Sequence, residues 1–354
     1  KPGKAGEITL DWLPNNESLQ DSFMVKYHEL EAYNSDGSVQ VVQDTHVHLV
    51  NLLAGRNYSI SVVAISKNVQ SLETTVFQPT RPASPVIEVL EPISGKTLNV
   101  SWKWDVTSKQ DSYKIIWTRN DTKQRREAVT KNNWMVLDGL YPGAGYEISV
   151  SAVSHGLFSD PHSYFQKIFP LPPEGLQILK HTNSTMFLTW LPPIDSLVDH
   201  YTVRYRPIGS AFWKEINVFN TTSLEIKDLV AGERYIIKVS SVSIKAESPE
   251  IREAEQTMLP NSISDVKYVI DSHNISFQWN SPGGRIDYYN IVYNTAKEPA
   301  KHESKHMTAM NSSKAGQLVN FLIDGLKPGE LYSFRFYVVS NNLRSEGIGV
   351  QTRT

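Results

Sequence analysis

A chain of 354 residues with 35 Lys and Arg, 37 Asp and Glu and no cysteine has room for roughly two to four domains; the missing thiol excludes a cysteine nucleophile, a disulfide framework and thiolate metal ligation. A formal net charge of -2 gives no surplus for a polyanion, so nucleic acid is not an expected partner, while 40% hydrophobic and 10% aromatic residues are enough for packed cores. No run approaches ~18 apolar residues and the opening KPGKAGEITL has no apolar signal core, so the chain is expected to be a soluble piece of something longer.

The first predicted elements are a strand through Ile8, Leu10 and Trp12 and another through Phe23, Val25 and Tyr27, both alternating apolar with polar residues as half-buried strands do. The phrase LLAGRNYSISVVAIS follows from Leu52: Leu, Gly three residues on, Tyr58 three after that, then Ile60, Val62 and Ala64. Its Gly predicts a corner with an unusual backbone angle, and its tail predicts a strand. The same order returns with Leu98-Val100-Trp102, Tyr113-Ile115-Trp117 and LYPGAGYEISVSAVS from Leu140. It returns again with Phe187 before Trp190, Tyr201-Val203-Tyr205 and LVAGERYIIKVSSVS from Leu229. The last copy has Ile275-Phe277-Trp279, Tyr289-Ile291-Tyr293 and LKPGELYSFRFYVVS from Leu326.

The tryptophans Trp12, Trp102, Trp190 and Trp279 are spaced by 90, 88 and 89 residues, and the tyrosines Tyr58, Tyr146, Tyr235 and Tyr332 by 88, 89 and 97. Two independent markers thus give one period. The excess in the fourth copy falls in AKEPAKHESKHMTAMNSSKAGQ, expected to be a long loop or a frayed edge strand. Proline marks the seams at QPTRPASP, FPLPP and Pro260, where it enforces short, extended linkers. The expected domains are 1–81, 82–169, 170–258 and 259–354. The first has 11 residues ahead of its Trp, so its first strand is expected to be missing or truncated.

Domains of this size, with short alternating strands and a turn signal every ~8–12 residues, describe antiparallel sandwiches. The eight repeated Trp and Tyr residues are read as structural core. The Trp supplies buried area, and the Tyr packs at a corner and bonds back to loop backbone through its hydroxyl. The pattern of Trp, then Tyr-x-Val-x-Tyr, then Leu-x-Pro-Gly-x-x-Tyr resembles the fibronectin type III domain over all four repeats, with Ala54 and Ala231 in place of the corner proline. The resemblance implies an all-β chain of four tandem immunoglobulin-like, seven-stranded antiparallel sandwiches in an elongated array. At ~3.3 Å per strand residue each domain is expected to span about 30–35 Å, and four in line about 130 Å.

Asn-x-Ser/Thr sequons occur at Asn16, Asn57, Asn99, Asn120, Asn183, Asn220, Asn274 and Asn311, making these the N-glycosylation candidates. Asn99 and Asn274 alternate with inward apolar residues and so are expected to face solvent. No Gly-x-Ser-x-Gly elbow, calcium loop or phosphate cradle is present, so no catalytic residue, cofactor or metal ligand is expected. His46 and His48 share a strand face without a third ligand, and His302 and His306 fall in the polar insertion. Arg119, Lys123, Arg125, Arg126 and Lys131 form a basic hairpin that Asp121 and Glu127 interrupt. Such a ridge offers a weak heparan sulfate site, with a solvated hairpin the more ordinary reading. Loops are the expected place for binding: KNVQSL, NNLRSEG and HGLFSD, whose Leu157 and Phe158 read either as a ligand contact or as packing at a seam.

The phrases VKYHELEAYNSDGS, TRPASPVIEVL, DVTSKQDSY, PGAGYEISVSAVSH and SDPHSYFQ resemble the ectodomain of insect receptor-type protein tyrosine phosphatases of the ten-D and four-E class, related to the vertebrate vascular-endothelial and density-enhanced receptor phosphatases. That resemblance implies an extracellular ligand-binding and spacer segment of a single-pass receptor in axon guidance and epithelial or tracheal tube formation. The parent's catalytic cysteine signature lies outside this cysteine-free piece, which is then no enzyme itself. The expected partner is a cell-surface or matrix protein ligand, with heparan sulfate and a second copy of the chain as further candidates. The alternatives are a structural matrix or adhesion tract and an accessory array on a secreted polysaccharide-degrading enzyme.

Overall fold

The computed structural model describes residues 1–31, 37–309 and 314–354. These form strands without a helix, in eight antiparallel sheets, two to each repeat. By contact the chain divides into two compact units, residues 1–170 with 195–197 and residues 171–194 with 198–354.

In the first unit, the second repeat shows the plan in full. Thr97–Lys103 is the middle of a three-stranded sheet between Val86–Ser94 and Trp134–Leu137. The facing sheet runs Arg125–Thr130, Ser112–Arg119, Gly145–Ser154, and then both Leu157–Phe158 and His162–Lys167 on the last edge. Alternation places Leu98, Val100 and Trp102 of one sheet against Tyr113, Ile115, Ile148 and Val150 of the other in one buried cluster. The first repeat has the same five-stranded sheet, but its second sheet is only Ile8–Asp11 with His46–Leu49. A single bridge from Pro2 to Ile8 stands where the first strand would run.

In the second unit, Met186–Leu191 lies between Glu174–His181 and Ser223–Ile226, and Ile275–Asn280 between Lys267–Ile270 and Leu318–Ile323. Each of these sheets faces a five-stranded partner built around Arg234–Ser243 or Leu331–Ser340. Among the described residues, repeats two to four each show eight strand segments, because the last edge strand is interrupted after two residues. The inserted sequence of the fourth repeat supplies the edge strand Glu303–Thr308, paired with Tyr288–Thr295; Met310 to Ser313 lie outside the described residues.

The repeated aromatics occupy equivalent places. Trp102, Trp190 and Trp279 are 1%, 1% and 2% exposed, whereas Trp12 is half-buried. Each meets a ring of the facing sheet edge-on at 5.2–5.3 Å: Phe23, Tyr113, Tyr201 and Tyr289 in turn. Each corner tyrosine is buried and accepts a backbone N–H through its hydroxyl: Leu53 to Tyr58 at 2.9 Å, Tyr141 to Tyr146 at 2.9 Å, Val230 to Tyr235 at 3.0 Å and Lys327 to Tyr332 at 3.0 Å. The corner is thereby closed by a bond that would otherwise be lost to burial.

Candidate functional site

Two joints, one inside each unit, are tightly constrained polar sites away from the cores. In the first unit the corner phrase of repeat one meets the loop that follows Trp102 in repeat two. The Lys109 N–H donates to the Ala54 carbonyl at 3.1 Å, and the fully buried Ser154 donates its hydroxyl to the Gly55 carbonyl at 2.9 Å. Gly55 has φ +69, and a Cβ there would overlap the Lys109 carbonyl. This position therefore requires glycine both for its backbone angle and for close approach. Lys109 also pairs with Glu31, and that hydrogen bond holds the Glu31 carboxyl below its usual range. Arg81 reaches Asp160 at 3.4 Å.

The second unit repeats the device with other side chains. The Arg285 N–H donates to the Ala231 carbonyl at 2.9 Å, and the fully buried Ser340 donates to the Gly232 carbonyl at 2.9 Å. Asn341 Nδ2 donates to the same carbonyl at 2.9 Å, and Arg285 pairs with Glu233 at 3.2 Å. Gly232 has φ +73, and a Cβ would run into the Arg285 carbonyl. At the linker, Asn183 donates to Asn261 at 2.7 Å, and Asn261 donates to the Pro282 carbonyl at 3.1 Å.

The loops expected to bind are tied down by two groups that sequence reading had passed over. A serine in each, and in the equivalent loop of repeat three, clamps the last edge strand: Ser71, Ser159, Ser248 and Ser345 each accept a backbone N–H on the hydroxyl, from Ala64, Ala152, Ser241 and Val338 at 2.9–3.2 Å. An aspartate just ahead of the facing strand, Asp21, Asp111, Asp199 or Asp287, accepts the N–H of a residue at positive φ, namely Lys67, His155, Ile244 or Asn341, at 2.6–2.9 Å. Within this frame Leu157 is half-buried and Phe158 is 44% exposed, its ring 5.8 Å from Lys114 Nζ. The two residues pair with Ser154 and Val153 and lie on the surface of repeat two.

Four sequon asparagines, Asn16, Asn120, Asn183 and Asn220, are exposed, while Asn57, Asn99 and Asn274 are half-buried. Asn57 is the least open of the described candidates: its Oδ1 is buried without a hydrogen-bond partner, and Ser59 of its sequon is 7% exposed. Asn311 lies outside the described residues. Two of the five basic residues of the hairpin, Arg119 and Arg125, are paired with its own carboxylates. Arg119 forks onto Asp121 at 2.7 Å and stacks 4.0 Å over Tyr141, and Lys114 and Arg125 share Glu127 at 3.0 and 3.2 Å. His48 bonds Thr9 at 3.0 Å, and among the described residues no three His, Asp or Glu side chains converge on a metal position.

The family model for the Fibronectin type III domain matches residues 84–165, 171–257 and 261–351, and the model for the Dep-1 second Fn3-like domain matches residues 4–82. Both matched models describe fibronectin type III-like domains. Among curated relatives, the Collagen alpha-1(XII) chain of Oryctolagus cuniculus is 26% identical over 330 residues, 91% of this chain and 50% of that protein. Tenascin of Gallus gallus is 26% identical over 262 residues, 69% of this chain and 14% of that protein. Receptor-type tyrosine-protein phosphatase eta of Gallus gallus is 25% identical over 359 residues, 98% of this chain and 24% of that protein. The chain spans half or less of the length of these relatives. A solved two-domain fibronectin type III segment of chicken tenascin covers 52% of this chain and 99% of its own, with 20% identity and a TM-score of 0.45. The chain is related as closely to tenascin and collagen proteins as to the receptor phosphatase, and it belongs to the fibronectin type III family as a tandem of such domains.

Proposed function

We propose that the chain is an extracellular ligand-binding and spacer segment of a single-pass receptor-type protein tyrosine phosphatase of the ten-D and four-E class, acting in cell–cell signalling of the kind that guides axons and shapes epithelial tubes. The observation that carries this reading is the first repeat. It answers to the Dep-1 second Fn3-like domain, while a receptor-type tyrosine phosphatase aligns across 98% of the chain. The joints support the spacer part: each buries a serine hydroxyl on a neighbouring domain's corner and fixes that corner by backbone bonds, which limits swivel within a pair. On this reading the parent lies on the extracellular side of the plasma membrane, its exposed sequons carry glycans, and its ligand is a cell-surface or matrix protein.

A second reading has its own observation. Collagen and tenascin relatives are as similar as the phosphatase, which favours a matrix or adhesion tract. The experiment that separates the two is to display the 354-residue chain on beads and offer it cells, immobilised matrix polymers and heparin. Capture of ligand-bearing cells that survives heparin competition supports the receptor segment. Retention on matrix polymers without cell capture supports the matrix tract. A parent gene product whose downstream sequence lacks a membrane span and a phosphatase domain overturns the first reading.

A further inference from the structure

The outer face of the three-stranded sheet in repeat two carries a sequon asparagine among exposed apolar side chains. Along Thr97–Lys103 the residues Leu98, Val100 and Trp102 are buried in the core, so Asn99 and Ser101 lie on the solvent side of the same strand. Asn99 stands between Glu91 on one neighbouring strand and Val136 on the other, and Ser101 between Val89 and Trp134. These adjacent rows form one patch. Trp134 is 51% and Val89 42% exposed, and both are diagonal neighbours of Asn99, about 7–8 Å away along the sheet.

An indole left half in water on an open sheet face has apolar area still to bury, and the sister repeats place none there. Opposite the residue just ahead of the core tryptophan, repeats one, three and four carry His46, Ser223 and Asn320. At the position of Asn99, three residues before that tryptophan, they carry Thr9, Phe187 and Ser276. The exposed ring and the acceptor asparagine therefore occur together, in one repeat and on one face.

We propose that the first N-acetylglucosamine of a glycan on Asn99 lies over the Trp134 indole, with Val89 on its other flank, and so serves as a covalently attached cover for this sheet face. On the extracellular reading proposed above, on which this rests, the chain passes the enzymes that glycosylate Asn-x-Ser/Thr sequons. A pyranose offers one face of C–H groups, whose partial positive charge matches the negative face of the indole, and it buries apolar ring area at the same time. The amide link leaves from the middle of the patch, so the sugar is held beside the ring at high effective concentration. The Glu91 carboxylate and the Ser101 hydroxyl stand in the same rows and offer acceptors to the sugar hydroxyls.

The test uses the 354-residue chain secreted from animal cells, with its glycans trimmed enzymatically to single N-acetylglucosamine residues, beside the same chain made in bacteria. Glycopeptide mass spectrometry reads occupancy, and hydrogen exchange is followed in Thr97–Lys103 and Trp134–Leu137. The expected result is an occupied Asn99 and exchange in both strands about fivefold or more slower in the glycosylated chain. Asn99→Gln in the secreted chain should return exchange to the bacterial rate, and Trp134→Ala should do so with Asn99 still occupied. In NMR spectra the sugar ring protons at Asn99 should be shifted upfield by the indole ring current, and Trp134→Ala should remove that shift. A bare Asn99 on a chain whose Asn16, Asn120 or Asn220 is occupied overturns the inference and leaves the extracellular reading standing; a secreted chain with no sequon occupied overturns both. Protection that persists in Trp134→Ala, or sugar protons without the ring-current shift, also overturns the inference.

Discussion

Tyr146 is buried in repeat two, yet its hydroxyl lies 2.9 Å from the Tyr141 N–H. Removing that oxygen leaves a half-buried backbone donor without an acceptor while the ring still packs. Tyr146→Phe is therefore expected to lower the stability of repeat two by about 1–3 kcal/mol, read as an earlier loss of amide protection in its strands under denaturant. Undiminished protection would show that the corner bond contributes nothing. A second residue-scale case is Glu247, which accepts two bonds from the Arg204 guanidinium and one from the Ser240 hydroxyl. The hydrogen bond from Arg204 is the main reason its carboxyl sits below the ordinary 4.5. In the pH window from that ordinary value down to the lowered one, the unfolded chain binds more protons than the folded one. Stability held by Glu247 is thus complete above the window and falls as acidification passes through it. Repeat three is expected to lose stability on acidification over this range, and Glu247→Gln to flatten that part of its pH profile, as followed by thermal unfolding at a series of pH values.

At the scale of strands and corners, apolar alternation and the Leu–Gly–Tyr phrase made the central strands legible, because burial on one face leaves a period-two trace that composition cannot hide. The serine clamps left a fainter trace. Ser71, Ser159, Ser248 and Ser345 recur at repeat spacing, but a serine in a polar loop looks like any other until its N–H partner is known. Asp21, Asp111, Asp199 and Asp287 recur in the same way, and their bonds cross 44 to 54 residues of sequence. The joints were hidden for a similar reason: the corner glycine was visible as a turn residue, but its second duty depends on a neighbour about 50 residues away. Comparing two corner glycines isolates that duty. Gly55 and Gly329 both have positive φ, +69 and +72, but only Gly55 has a backbone carbonyl where a Cβ would go. Alanine at either should cost about 1–2 kcal/mol in backbone strain. Gly55→Ala should in addition displace repeat one from repeat two, seen as a changed or broadened distance between spin labels placed on the two repeats. Equal behaviour of the two variants in that measurement would remove the joint from the account of Gly55.

At the scale of the chain, the question is what couples one repeat to the next within a unit. By sequence the four repeats carry net charges of -3, +1, -2 and +2, and ion pairs do occur at both joints: Lys109 with Glu31, Arg81 with Asp160, Arg285 with Glu233. Their side chains are largely a fifth to three-quarters exposed, however, and exposed pairs of this kind are worth about 0–1 kcal/mol and are screened by salt. The hydroxyls of Ser154 and Ser340 are in a different position. Both residues are fully buried and donate to glycine carbonyls across the joint, so removing the Ser154 hydroxyl takes that donor from the Gly55 carbonyl at a cost of about 1–3 kcal/mol that salt does not screen. The expected outcome is that repeats one and two lose amide protection together on heating, that about 1 M sodium chloride leaves this coupling in place, and that Ser154→Ala weakens it so that repeat one unfolds first. Ser340→Ala should act less strongly on repeats three and four, because Asn341 supplies a second donor to the Gly232 carbonyl. If salt separates the transitions and Ser154→Ala does not, charge and not the buried hydroxyl holds the joint.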